Sequence, residues 1–185
     1  MTRRTVTELY TQATTDFADN VSGAITPAKL RQFCQDFLDT IRPSYGGIAL
    51  DGPLSKAATT TFSSFVWSRQ FELNSPEFSV SLASGTITRN NGPATARISF
   101  SVDAQAPNNI VTSFTLFVDG VETPWAVSNT STSGTDVQSF AFSALAYSAA
   151  ANPDYQVRIK VSANNNVVLS NGEFVVENVP VNSNV

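Results

Sequence analysis

The polar and apolar positions of this chain change period once. Around residues 25–47 the period is helical: at ~100° per residue Leu30, Phe33, Phe37 and Ile41 fall on one line, with Cys34 and Leu38 beside it. Lys29, Arg31, Gln32, Gln35, Asp36 and Asp39 cover the opposite side. Thr26 suits an N-cap, Pro27 suits the first helical position where its missing N–H costs nothing, and Pro43 with Gly46 and Gly47 predicts the end. A helix of about four turns is marginal alone in water, so its apolar face needs a cover. Packing on the protein's own β region and packing on copies of itself both supply one. The single cysteine, Cys34, lies on this side and is expected to be a buried thiol. A weaker helical pattern precedes it, with Thr5 and Glu8 at capping-box spacing and Val6, Leu9, Tyr10, Ala13 and Phe17 recurring at helical intervals. Asp19 to Gly23 reads as the turn between the two.

From Ile48 onward the period is two. Residues 60–67, 77–82 and 85–89 are strand-like, and Asn90-Asn91-Gly92-Pro93 predicts a turn. In residues 94–103, Ala96, Ile98, Phe100 and Val102 alternate with Arg97, Ser99, Ser101 and Asp103, the pattern of a strand with one wet face. Residues 110–118 set Phe114, Leu116 and Val118 against Ser113 and Thr115, and Asp119-Gly120 is a strong two-residue hairpin signal into residues 121–127. After a Ser/Thr/Gly loop over 128–135, residues 137–147 place Phe140 and Phe142 on one face and Leu145 and Tyr147 on the other. Residues 155–161 alternate again, and Asn164 to Asn166 and Asn171-Gly172 predict turns around short strands at 167–169 and 173–179. Roughly eight to ten short strands at this spacing imply an antiparallel sandwich or jelly roll. The expected organisation is a docking arm over 1–24, a helical collar over 25–47 and a jelly-roll head over 48–185.

Composition narrows the function more than the fold. With 185 residues and a net charge of −4 spread along the chain, no broad basic face for phosphates is expected, and nucleic acid is not an expected partner. No run of about 18 apolar residues points to a membrane span. MTRRTVTELY has a basic start without the apolar segment of a signal peptide, so synthesis and assembly in the cytoplasm are expected and the N-x-S/T sequons at Asn20 and Asn129 are read as accidental. Arg3 and Arg4 fit either a solvated terminus or an arm that meets an acidic partner surface. The sequence contains no histidine, which removes imidazole relays and imidazole metal sites. No phosphate-binding or dinucleotide glycine fingerprint is present, and no cofactor is expected. Asp103, Asp119, Asp136, Asp154, Glu173 and Glu177 leave paired-carboxylate glycoside hydrolysis formally open, but their strand-end and polar-face positions read as solvation and turn formation. The expectation is a protein that is not an enzyme. Trp67 and Trp125 are candidates for stacking on sugars, against the plainer reading of core or interface plugs.

Gly85-Thr86-Ile87-Thr88, Ala96 to Ser101, Phe114 to Gly120, Ser139 to Phe142, Tyr155 to Ile159 and Gly172 to Val176 together resemble the strands of tumour necrosis factor-like and complement-type globular heads. The resemblance implies a jelly roll that forms homotrimers, with outward aromatics such as Phe117 and Tyr147, or Val175, at the interface and the stripe Leu30, Phe33, Phe37 and Ile41 as a three-helix bundle on the symmetry axis. Ile25-Thr26-Pro27, Leu30-Arg31, Phe37-Leu38-Asp39 and Ser44 to Ile48 are similar to segments preceding such heads in tailed-bacteriophage virion proteins. That similarity implies a structural virion protein, a trimeric capsid decoration or cement protein bound to the major capsid protein by an arm of Arg3, Arg4, Val6, Leu9, Tyr10 and Phe17. A head or tail fibre adhesin, binding a host receptor or glycan through the loops at 128–135 and 164–166, is the main alternative. A polysaccharide depolymerase is a third.

Overall fold

A computed structural model of the chain describes residues 6–16, 26–41, 44–73, 77–90, 92 and 94–179. They divide into a helical unit within residues 1–43 and a β unit over residues 44–181. The helical unit contains α1 (Val6–Asp16) and α2 (Pro27–Ile41), which pack on each other, so the expected arm and collar share one unit. Thr26 caps α2 as its sequence predicts, its hydroxyl accepting from the Lys29 N–H at 3.3 Å. α2 ends at Ile41, two residues before Pro43, where the sequence predicts, but the glycines have another role. Gly46 and Gly47 do not stop the helix but lie in the first strand, β1 (Tyr45–Ala49). A Cβ on Gly47 would meet the Phe71 ring at 2.9 Å, so that glycine answers a close packing and not a helix terminus.

The β unit is a sandwich of two antiparallel sheets. One sheet has the order β3 (Arg69–Leu73), β1, β11 (Asn165–Val179), β6 (Ala94–Gln105), β9 (Val137–Ser148), with β2 (Leu54–Ala58) also paired to β11. The other runs β4 (Phe78–Ser81), β5 (Thr86–Arg89), β10 (Asp154–Val161), β7 (Val111–Val118), β8 (Val121–Thr130). Inward residues of β6 and β10 are the alternating sets that the sequence marks, and they meet Ile48, Phe174 and Val176 from one sheet and Ile87, Phe114 and Leu116 from the other. Asp119 and Gly120 both take positive φ, 52° and 77°, as the β7–β8 hairpin requires.

Three elements depart from expectation. Residues 60–67 form no regular strand; Ser63 bridges Ile159 of β10, and farther on the Ser68 N–H donates to Ala49, so the segment crosses between the sheets. It carries Phe65 and Trp67 into the core, where their rings stack 5.0 Å apart. Asn171-Gly172 is no hairpin turn. β11 runs through it as one 15-residue strand with a bulge, Asn171 taking φ 48° while the chain stays paired to β6 on both sides. A Cβ on Gly172 would lie 2.9 Å from Leu50 and 3.3 Å from Trp67, which explains the glycine. β7 is buried on both faces from Thr112 to Val118, not on one, because Phe62 and Arg158 roof the outer side of Phe117.

Candidate assembly face

Strand register builds one surface on the sheet that contains β9. Opposite the core, one row runs Tyr45, Glu177, Arg97, Leu145 across β1, β11, β6 and β9. The next row runs Gly47, Val175, Ser99, Ser143, with Phe71 of β3 over Gly47, and a third runs Ala49, Glu173, Ser101, Ala141. Val179, Thr95 and Tyr147 complete the other side. Ser99, Ser101, Ala141 and Ser143 make the β6–β9 side of small residues, which let another surface approach closely, while β11 carries Glu173, Val175 and Glu177 and the margin on β9 is apolar at Leu145 and Tyr147. Tyr147 is 67% exposed and Leu145 58% exposed, although both stand in the regularly paired C-terminal part of β9. Arg97 reaches Glu177 at 3.5 Å between an exposed and a partly buried side chain, a pair that contributes little while water screens it.

β9 is a terminal strand of this sheet with no strand among the described residues paired to its outer side, although Gln138 donates to the Thr130 carbonyl of β8 at 2.7 Å. All twelve residues of β9 pair with β6 on one side, and the strand contains no charge and no proline. Long uncharged edges template association unless something covers them. The edge strand of the other sheet is built differently: β8 carries Pro124, and at that point its register shifts as 123–125 oppose Leu116.

The expected interface and arm residues fall into three groups. Tyr147 lies on this face. Phe117 does not: it is buried in the other sheet between Phe62 (5.5 Å) and the Arg158 guanidinium (4.2 Å), because an aromatic on a wet face gains more by stacking than by projecting. In α2, Leu30 and Phe37 are about half exposed (50% and 47%) and Phe33 is partly buried, so the stripe keeps an uncovered portion; the Ile41 side chain lies outside the described residues. Cys34 shares that uncovered side and is exposed, contrary to the expected buried thiol. Leu9 of the expected arm is buried and cannot serve as a free contact, whereas Tyr10 is exposed. Arg3, Arg4, Phe17, the Val6 side chain and the turn at 19–23 lie outside the described residues.

The other candidates are engaged locally. Trp67 is core and Trp125 is half exposed at the β8 bulge. The Asp103 carboxylate accepts from Ser139 at 2.6 Å and Asn171 at 2.9 Å, and these two bonds, Ser139 first, hold its pKa below the ordinary 3.8. Asp119 accepts from Ser148 and from the Asp154 N–H, and Asp136 from Thr132. In the loops proposed for glycan contact, Ser131 is buried and its hydroxyl accepts from the Ile110 N–H, while Asn164 caps the Thr60 N–H at 3.1 Å. Residues 128–130 and 165–166 are strand, so both loops are shorter than their composition suggests. No helix among the described residues is long and apolar enough to cross a membrane.

A two-sheet antiparallel sandwich with these strand orders is a jelly roll of the tumour necrosis factor type. Among solved structures the chain is similar to the Eiger TNF of S. frugiperda, with a TM-score of 0.57 and 12% identity over 78% of this chain and 98% of that one. It is similar also to murine APRIL, with a TM-score of 0.54 and 10% identity over 75% of this chain and all of that one. No protein-family profile matches the chain, and no curated protein matches it. At such identities the likeness establishes the fold.

Proposed function

We propose that this protein is a non-enzymatic structural module that assembles as a homotrimer through the outward face of the β9 sheet. The observation that carries the reading is the uncharged β9 edge continuous with exposed Leu145 and Tyr147 and with the small residues Ser99, Ser101, Ala141 and Ser143 beside it. A second copy covers all three features at once. The half-exposed stripe of Leu30 and Phe37 on α2 is a further apolar surface for contact between copies. Within this reading the trimer is a bacteriophage capsid decoration protein, assembled in the host cytoplasm, located on the capsid surface and bound to the major capsid protein. That finer assignment rests on the similarity of Ile25 to Ile48 to virion segments that precede such heads. Three linked arms supply avidity that one arm lacks.

Two measurements test the reading in order. Sedimentation should find a trimer that Tyr147→Asp converts to a folded monomer; a native monomer would overturn the assembly. Co-sedimentation with bare capsids, comparing the full chain with one starting after Phe17, should show saturable binding by the full chain only. Adhesion to host cells without capsid binding would instead place the protein among adhesins.

A further inference from the structure

We infer that the outward face of the second sheet, centred on Arg158 and Lys160 of β10, is a binding site for an anionic polysaccharide. The two cations sit two residues apart on one strand, about 6.6 Å along it, and each lies on an aromatic ring. The Arg158 guanidinium is 4.2 Å from the centre of Phe117 and the Lys160 ammonium 4.3 Å from that of Phe62. The rings meet edge to face at 5.5 Å, so all four groups form one block. Arg158 is also fixed from the side: its Nε donates to Gln156 at 2.5 Å, and Gln156 donates in turn to the Ser84 carbonyl at 2.5 Å. Both heads are thereby positioned before any ligand arrives, which lowers the cost of binding.

Charge and chemistry indicate the occupant. Among the described residues neither cation forms an ion pair; Glu122 faces Phe117 across the β7–β8 register without pairing with either. Stacking leaves the guanidinium's terminal N–H fork available for a carboxylate or sulfate, which it grips in bidentate fashion. Register places Thr115 opposite Arg158 and Ser113 opposite Lys160, both buried, and the Ser128 hydroxyl donates to Ser113 at 2.8 Å, so the floor under the two cations is already satisfied. A protein partner would need an apolar anchor. Here Phe117 is already covered, so what the face offers is two positioned cations, the complement of the acidic groups of a sugar chain. The site faces away from the proposed assembly face and does not depend on it.

The test is calorimetric titration of the full chain with oligogalacturonate, dextran sulfate and neutral dextran at about 0.01 M and about 0.15 M salt, between which the screening length falls from ~30 to ~8 Å. The acidic sugars should bind, dextran should not, and affinity should drop with salt. The R158Q/K160Q variant, with its melting transition checked, should bind at least about tenfold more weakly. R158K, which keeps the charge and loses the fork, should also weaken binding, and it carries the test if the double variant does not fold. No binding of either acidic sugar at low salt overturns the proposal, as does unchanged binding by the folded double variant. Polyglutamate binding as tightly as oligogalacturonate overturns the assignment to a glycan in favour of an acidic protein partner.

Discussion

Replacing Gly85 with alanine separates two costs that glycines in this fold carry. Gly85 has φ +66°, and a Cβ there would lie 2.6 Å from Trp67 Nε1, 2.8 Å from Cδ1 and 3.0 Å from the Phe65 carbonyl. The indole has nowhere to retreat: Phe65 stacks on it at 5.0 Å, Phe174 lies 6.3 Å away, and Gly172 faces its far edge. Gly120 is the control. It has φ +77°, and a Cβ there would meet nothing within 4 Å. An alanine at either site carries the left-handed backbone penalty of roughly 1–2 kcal/mol. Only Gly85→Ala adds overpacking of a filled core, about 1–3 kcal/mol more. Urea unfolding at one protomer concentration should therefore rank native above Gly120→Ala above Gly85→Ala, with the last about 2–5 kcal/mol below native. For a domain of this size that is on the order of 10 °C in Tm. Equal losses in the two variants would refute the claim that Trp67 is pinned between Gly85 and Gly172.

Tyr147→Asp should abolish the trimer: an aromatic side chain two-thirds exposed in the monomer stands to bury about 100–170 Å², or roughly 2.5–4 kcal/mol per protomer, which sedimentation reads as monomer. Asp103→Asn should destabilise the head at neutral pH. Because the folded pKa of Asp103 is depressed, its contribution is full above the ordinary 3.8 and fades as pH falls through the lower folded value, so the gap between native and variant in urea should close in strong acid. The Tyr155 hydroxyl is buried without a hydrogen-bond partner among the described residues, and burial pushes its pKa up to about 12. Tyr155→Phe should accordingly be neutral or stabilising at pH 7, by up to about 1 kcal/mol. Between pH 10 and 12 the unfolded chain loses that proton and the folded one keeps it, so native stability should fall with pH there and the variant should lack that part of the decline. Maleimide labelling should reach Cys34 in the native monomer of Tyr147→Asp at the rate of an exposed thiol.

Much of the jelly roll was legible because its strands obey the simplest rule available. β6 and β10 alternate strictly, so each names its own inward face, and Asp119-Gly120 names its turn. The helix α2 announced its start through Thr26 and Pro27. Reading failed where a residue type serves two geometries. Gly46-Gly47 and Asn171-Gly172 carry the same local signal as a helix stop and a hairpin, and the neighbours Phe71, Leu50 and Trp67, distant in sequence, decide that they are packed strand and bulge instead.

The assembly face divides the same way. The period of β9 fixed that Leu145 and Tyr147 share the side away from Phe140, a property of one strand alone. Composition gave no sign that β9 would be an edge, or that register would lay Ser99, Ser101 and Val175 beside it. Phe117 shows the limit most directly. Its parity put it on the outer face, correctly, but only the tertiary arrangement brings Phe62 and Arg158 over it and turns an expected interface residue into a buried support. Sequence determines which side of a strand a residue takes, because that depends on the backbone period; what then covers that side depends on strand order, which contacts far apart in the chain decide together.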